Sequence, residues 1–302
     1  MKNSISPKGL NNFKNKLSEK LFDVLYRRAS KFYIEDFPKL NNTALCNIYP
    51  SLISHNIEIV DFDEKENYVY LKKDNLYFVT TPDYPWIIRE VFCQHIYFIN
   101  PKYLKNKEYS VFDIGMNRAY ASLYFANQPW CKEVFGFELN ETTYNIAQKN
   151  LELNFRLKDK VKTYNFGLGD KDATLKTYYL PHRDGICTTS KEFLQNYAPE
   201  ELDRVIESDS LIRKSSDILR AIVENENVEN IVVKIDVEGA EYNIVDSLVS
   251  EYPDFLRKTD ILIGEAHLGL EPLVKQLAPF GFKEVSTKSL NPKTQDFLFV
   301  KI

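Results

Sequence analysis

Two patterns of apolar and polar positions divide this chain. Residues 10–34, LNNFKNKLSEKLFDVLYRRASKFYI, put Phe13, Leu17, Leu21, Leu25 and Phe32 at helical spacing, which predicts one amphipathic helix. Residues 56–80 alternate apolar and polar positions instead. With breaks at DEKEN and KKDN, they predict three short antiparallel strands. DYPWIIREVFCQHIYFI predicts a short helix after Pro85. Residues 1–105 carry no visible chemistry and read as a cap or oligomerisation element.

From Tyr109 the pattern changes. SVFDIG reads as a buried strand, RAYASLYFANQ as a helix, EVFGFEL as a second strand, TTYNIAQKNLELNF as a second helix and VKTYNFGLG as a third strand. A polar excursion over 170–214 reads as a variable, substrate-facing insertion. It is followed by helix SDILRAIVENE, strand NIVVKIDV, helix AEYNIVDSLVSEY, strand DILIGEAH and helix LEPLVKQLAPFG. Alternation of this kind predicts an α/β domain over 106–302 with a doubly wound, mostly parallel sheet. The last stretch, FKEVSTKSLNPKTQDFLFVKI, predicts two strands joined by a loop, hence an antiparallel hairpin.

Composition narrows the function. Of 302 residues 44% are hydrophobic and 27% charged, which suits a globular protein with a core. The net charge of −4 offers no basic footprint for nucleic acid. No run of about 18 apolar residues predicts a membrane span. The N-terminus lacks the apolar stretch of a signal peptide. Cys46, Cys93, Cys131 and Cys187 stand far apart without a CxxC pair, which points to the reducing cytoplasm rather than a disulfide frame.

In a doubly wound sheet, ligands sit at the carboxyl ends of the strands, where strand order switches. That places Asp113, Gly115 and Asn117 at a crevice. A dinucleotide turn asks for G-x-G-x-x-G, and here those positions hold Gly115, Asn117 and Tyr120. A side chain stands where a pyrophosphate needs bare backbone, so the turn suits a ligand without phosphates there. Glu138 ends the second strand, where an acid accepts hydrogen bonds from ribose hydroxyls. A ribose without pyrophosphate points to S-adenosylmethionine, with Asp113 and Asn117 placed for its amino-acid end. Gly115, one of only ten glycines, is expected where backbone approaches closely.

The blocks VFDIGMNRAYASLYFA, VFGFELNETTYNIAQKNLELN, NFGLGDKDATL and VVKIDVEGAEYNIVDSL resemble four consecutive blocks of the FkbM family of S-adenosylmethionine-dependent methyltransferases. The resemblance covers about 109–267 and implies a seven-stranded class I methyltransferase (Rossmann-like) sheet ending in an antiparallel hairpin. It also implies O-methylation, often of hydroxyls on sugars, glycolipids or natural products. The cofactor residues it suggests are Asp113, Gly115, Met116, Asn117, Glu138, Leu139, Gly167 and Asp236. The family usually has glycine where Ala119 stands, and often a small residue where Met116 stands. Met116 is expected to line the methionine side of the cofactor.

The block KIDVEGAE gathers acids. Lys234 and Asp236 share one side of a strand, Glu238 and Glu241 follow at the turn, and Glu265 and His267 end the neighbouring strand. Bunched carboxylates need a cation or donors beside them. Lys234 can pair with one acid, and Asp236, Glu265 and His267 are candidate ligands of a divalent metal ion. Neutral His267 is the first candidate base, with an ordinary pKa near working pH, and Asp236 the second. Glu265 completes the catalytic set. Glu241 reads as a helix cap or dipole partner. His182 and Arg183, in the insertion, and Glu238 are candidate substrate contacts. The expected substrate is a small molecule, a nucleotide-activated sugar or a sugar on a polysaccharide precursor. A nicotinamide-dependent oxidoreductase and a non-catalytic binding module are the competing readings.

Overall fold

The computed structural model describes residues 34–180, 186–189, 191, 194–195, 198–289 and 294–302. The helix expected over 10–34, His182 and Arg183 lie outside the described residues, Ile34 excepted. The chain divides into two units, Met1–His95 and Ile96–Ile302.

In the first unit α1 (Ala44–Ser54) precedes β1 (Ile57–Asp63), β2 (Tyr68–Lys73) and β3 (Leu76–Thr80), which pair in sequence as an antiparallel sheet, and α2 (Trp86–Phe92) follows. Alternation puts Val69, Leu71 and Phe78 inside, and the ring of Phe78 lies 4.4 Å from that of Phe92. Asp74, at φ 53°, opens the two-residue turn between β2 and β3, a left-handed position that Asp tolerates.

The second unit holds the seven-stranded sheet that the alternation predicts. Its strands are β4 (Tyr109–Ile114), β5 (Cys131–Phe137), β6 (Val161–Tyr164), β11 (Ile231–Ile235), β12 (Thr259–Ala266), β13 (Phe282–Ser289) and β14 (Gln295–Lys301). They stand in the order β13-β14-β12-β11-β4-β5-β6. Six run in one direction, five of them as parallel neighbours, whereas β14 runs antiparallel to both of its neighbours, which gives the closing hairpin. Every residue of β4 and β11 is buried, as expected of strands covered on both faces. The covering helices include α3 (Tyr120–Ala126), α4 (Glu141–Leu153), α6 (Ser215–Asn225), α7 (Glu241–Glu251), α8 (Pro253–Lys258) and α9 (Glu271–Leu277). A short turn of helix, α5 (Phe155–Lys158), follows α4. Phe112 stacks on Phe135 and meets Phe255 edge-on, with both pairs of ring centroids 5.0 Å apart. From β4 the order runs one way through β5 and the other through β11, so the switch point lies between β4 and β11.

One expectation is corrected. VKTYNFGLG is not one strand: β6 stops at Tyr164, and β7 (Gly167–Gly169) joins a second sheet. Within the polar excursion, β8 (Ala173–Tyr179), β9 (Cys187–Thr188) and β10 (Ile206–Lys214) complete that sheet in the order β7-β10-β8-β9. β8 and β10 pair antiparallel from Ile206↔Tyr179 to Ile212↔Ala173, and the Thr177 hydroxyl meets those of Ser208 and Ser210. Polar inward positions such as these hide a strand from a reading based on apolar alternation. Among the described residues no helix is long and apolar enough to cross a membrane.

Candidate active site

The turn after β4 is shaped by its neighbour. Gly115 has φ +82°, and a Cβ there would lie 1.9 Å from the backbone oxygen of Asp236, so no other residue fits. The close approach expected at this glycine is therefore to the protein's own backbone. The amides of Gly115 and Met116 both donate to the carbonyl of Phe137, which ties the turn to the end of β5. Gly115 and Asn117 are partly exposed, while Met116 is buried. The thioether of Met116 covers Gly136, where a Cβ would stand 2.4 Å from Sδ, so its bulk is taken up in packing.

Glu138 is 7% exposed and gripped by backbone. Asn117 N–H donates to Oε2 at 2.8 Å and Asn140 N–H to Oε1 at 2.7 Å. Burial raises its pKa to about 7 against the pull of those two amides. Each oxygen retains a lone pair for a further donor. Asn140 also caps α4, its Oδ1 accepting from Thr143 N–H at 2.9 Å. Leu139 packs against Gly167, where a Cβ would lie 3.0 Å from Leu139 Cδ1.

Asp113 is fully buried. Ser122 Oγ donates to its Oδ2 at 2.6 Å, and Lys234 Nζ lies 3.2 Å from its Oδ1. Burial raises the pKa of Asp113, while Lys234 and Ser122 draw it down. Lys234 is 2% exposed and also donates to the Gly115 carbonyl. Burial alone would lower the Lys234 pKa, but Asp113 and Asp236 outweigh it and the ammonium stays charged. Asp113 thus braces the turn from beneath, and the acid that Lys234 pairs with is Asp113.

Across the switch point stands the acidic rim. His267 is 3% exposed. Its Nδ1 lies 2.8 Å from Oε1 of Glu241, which is fully buried and also accepts the amides of Val237 and Gly239 at 3.1 and 3.2 Å. His267 Nε2 faces Glu238 Oε2 at 3.4 Å, Glu265 Oε1 at 3.6 Å and Asp236 Oδ1 at 4.0 Å. Asp236 Oδ2 accepts from the Tyr97 hydroxyl at 3.0 Å. Glu238 itself has φ 53°, a left-handed conformation stored at the site.

Burial and mutual repulsion raise Glu238 to about 8 and Glu265 to about 9. Burial would lower His267, but Glu238, Glu241 and Asp236 overcome it and push it up to about 10. The acids around His267 thus favour its protonated form over the neutral imidazole expected from the sequence. The insertion reaches the rim through β9, where Thr188 Oγ1 donates to the Glu238 carbonyl at 3.2 Å. Cys187 beside it is hydrogen-bonded to Asn140, and burial, with Glu138 close by, pushes its thiol up.

The fold therefore gathers Gly115, Asn117 and Glu138 at the ends of β4 and β5, and Asp236, Glu238, Glu265 and His267 at the ends of β11 and β12. Tyr97 was not foreseen, and no local pattern marks it. Glu241 was foreseen as a cap, and it also anchors the imidazole.

A family model described as the methyltransferase FkbM domain matches residues 113–278. Methyltransferase sdnD of Sordaria araneosa is 26% identical over 218 residues, covering 67% of this chain and 82% of that protein. Methyltransferase 1 of Beauveria bassiana is 26% identical over 180 residues, covering 57% and 70%. Among solved structures, methyltransferase FkbM from Methylobacillus flagellatus aligns with a TM-score of 0.42 at 12% identity. That alignment covers 67% of this chain and 46% of that one, so the chain spans under half the length of that structure.

Proposed function

The chain belongs to the family of the FkbM methyltransferase domain, and we propose that it transfers a methyl group from S-adenosylmethionine to a hydroxyl of a sugar. The sugar would be nucleotide-activated, or part of a polysaccharide or glycolipid precursor. The observation that carries this reading is Glu138. Its two carboxylate oxygens are each held by one backbone N–H at the end of β5, which leaves a matched pair of acceptors for a ribose diol. Asn117, where a pyrophosphate-binding turn would have glycine, speaks against a nicotinamide dinucleotide.

Bound S-adenosylmethionine supplies an electrophilic methyl group on a sulfonium. Glu138 holds its ribose, and Gly115 and Asn117, the partly exposed residues of the turn, border its amino-acid end. Asp113 serves that end indirectly, by fixing the turn through Lys234 and Ser122. The acceptor hydroxyl must lose a proton as its oxygen takes the methyl, and a positioned base contributes ~10²–10⁴-fold. Asp236 is the better base, because His267 already carries a proton. Tyr97 fixes one oxygen of Asp236 and leaves Oδ1 toward the rim. The imidazolium of His267 and the carboxyls of Glu238 and Glu265 steady the charge as the proton moves. A divalent ion at the same rim would add Lewis acidity toward the acceptor oxygen. The cysteine spacing supports a cytoplasmic enzyme, and the first unit, Met1–His95, would serve as a cap or oligomerisation element.

The test is incubation with methyl-labelled S-adenosylmethionine and a panel of nucleotide-sugars and sugar-bearing lipids, read by mass. The reading expects a gain of one methyl on a hydroxyl. Methylation of a nitrogen, or of an acceptor without a sugar, would replace it.

A further inference from the structure

We propose that the acidic rim is a divalent-cation site in which Asp236, Glu238, Glu265 and Nε2 of His267 supply the donors. The proposal deepens the methyl-transfer reading, on whose acceptor rim it rests. One donor atom each from Asp236, Glu265 and His267 lies within 4.8 Å of the other two. Glu238 is a fourth, with Oε2 3.4 Å from Nε2 of His267.

Spacing is the first argument. The three separations between Nε2 and the carboxylates are 3.4, 3.6 and 4.0 Å. Donors around one small ion with bonds of about 2.1 Å stand roughly 3.0 Å apart when adjacent and roughly 4.2 Å apart when opposite. The three separations from Nε2 lie inside that window, and one donor atom each of Asp236, Glu265 and His267 lies within 4.8 Å of the other two.

The second argument is the support behind the donors. A ligating histidine almost always gives its other nitrogen to a carboxylate or carbonyl, which fixes the ring and its tautomer. His267 Nδ1 has that partner in Glu241, itself fully buried and pinned by two amides. Asp236 has the same kind of support, its Oδ2 held by Tyr97 while Oδ1 turns to Nε2. A nitrogen donor 3% exposed, aimed among carboxylates and held from behind, distinguishes this rim from a merely acidic surface.

Charge is the third. Oxygen and imidazole donors in this mixture suit magnesium, manganese or a later first-row ion. The buried ammonium of Lys234 makes its contacts with Asp113 and the Gly115 carbonyl instead. Coordination would replace the proton on Nε2, occupy Oδ1 of Asp236 and offset the bunched carboxylates, and the ion's Lewis acidity toward the acceptor hydroxyl would then stand in for the Asp236 base.

The test is titration of Mn2+ alone into the metal-stripped full-length chain, following free Mn2+ by its electron paramagnetic resonance signal. One saturable site is expected. Glu265→Gln and Glu238→Gln should each weaken it by about tenfold or more. Glu241→Gln, which removes no ligand, should weaken it by about 10–100-fold. The exposed Glu271→Gln should leave it unchanged. Uptake by the wild type that does not saturate, or equal affinity in folded Glu265→Gln, would overturn the proposal. S-adenosylhomocysteine is titrated into the same preparation. If it binds and Mn2+ does not, the cation site alone is lost; if Mn2+ binds and it does not, the cation site stands and the methyl-transfer reading is lost.

Discussion

Glu241 holds His267 from behind, its Oε1 2.8 Å from Nδ1, and neither side chain has appreciable contact with solvent. The same oxygen accepts the amides of Val237 and Gly239, so one carboxylate fixes both the turn after β11 and the imidazole at the end of β12. Glu241→Ala leaves those donors without an acceptor, and each unsatisfied buried group costs about 1–3 kcal/mol. The variant should lose about 3 kcal/mol or more of stability in urea unfolding. Glu241→Gln keeps an acceptor oxygen and should lose clearly less. Equal losses would mean that the carboxylate does not hold the turn.

The buried pair of Asp113 and Lys234 gives a second expectation. Removing one partner of a buried ion pair leaves an uncompensated charge and costs about 3–5 kcal/mol. Asp113→Asn should therefore destabilise the chain by that amount. The double change Asp113→Asn with Lys234→Met should recover part of the loss. Chemical denaturation of Asp113→Asn, Lys234→Met and the double variant checks this, and simple additivity of the two single losses would contradict it.

How far the site could be read in advance depended on what each residue faces. β4 and β11 are buried on both faces, so their apolar runs stood out and marked the two central strands. β8 and β10 turn Thr177 and Ser210 inward, and no apolar alternation announced them. The placement of Glu138 could be read because it directly follows a strand. Tyr97 could not, since it meets Asp236 across 139 residues and lies outside every motif. Asp113 looked like a cofactor contact because the fold brings it to the crevice, yet its strand is buried on both faces and its carboxylate meets Lys234 instead.

Glu138 predicts a pH dependence. Its pKa in the folded chain is raised to about 7 from an ordinary 4.5. Between those values the folded state holds a proton that the unfolded state has lost, so stability falls as pH rises from about 4.5 to about 7. Glu138→Gln should lack that part of the decline, seen as a smaller difference in Tm between pH 5 and pH 8. Ribose hydroxyls donate to the ionised form. The affinity for S-adenosylhomocysteine should thus drop by up to about tenfold per pH unit below about 7, and Glu138→Gln should abolish the trend. A wild-type affinity flat from pH 8 to pH 5.5 would contradict the assignment.

Tyr97→Phe keeps the ring beside Phe125 and removes only the hydroxyl that fixes Asp236. With the acceptor that the panel identifies, kcat should fall by roughly tenfold, while KM for S-adenosylmethionine and thermal stability stay near the wild-type values. A fall in stability that matches the loss of activity would reduce Tyr97 to a packing residue.

The central claim is that the crevice between β4 and β11 takes a sulfur nucleoside by its ribose and has no place for a diphosphate. Calorimetric titration of the full chain with S-adenosylhomocysteine, and separately with NAD, tests it directly. The account predicts saturable binding of the first, weakened at least about tenfold by Glu138→Ala, and no binding of the second. Binding of NAD with none of S-adenosylhomocysteine would contradict it.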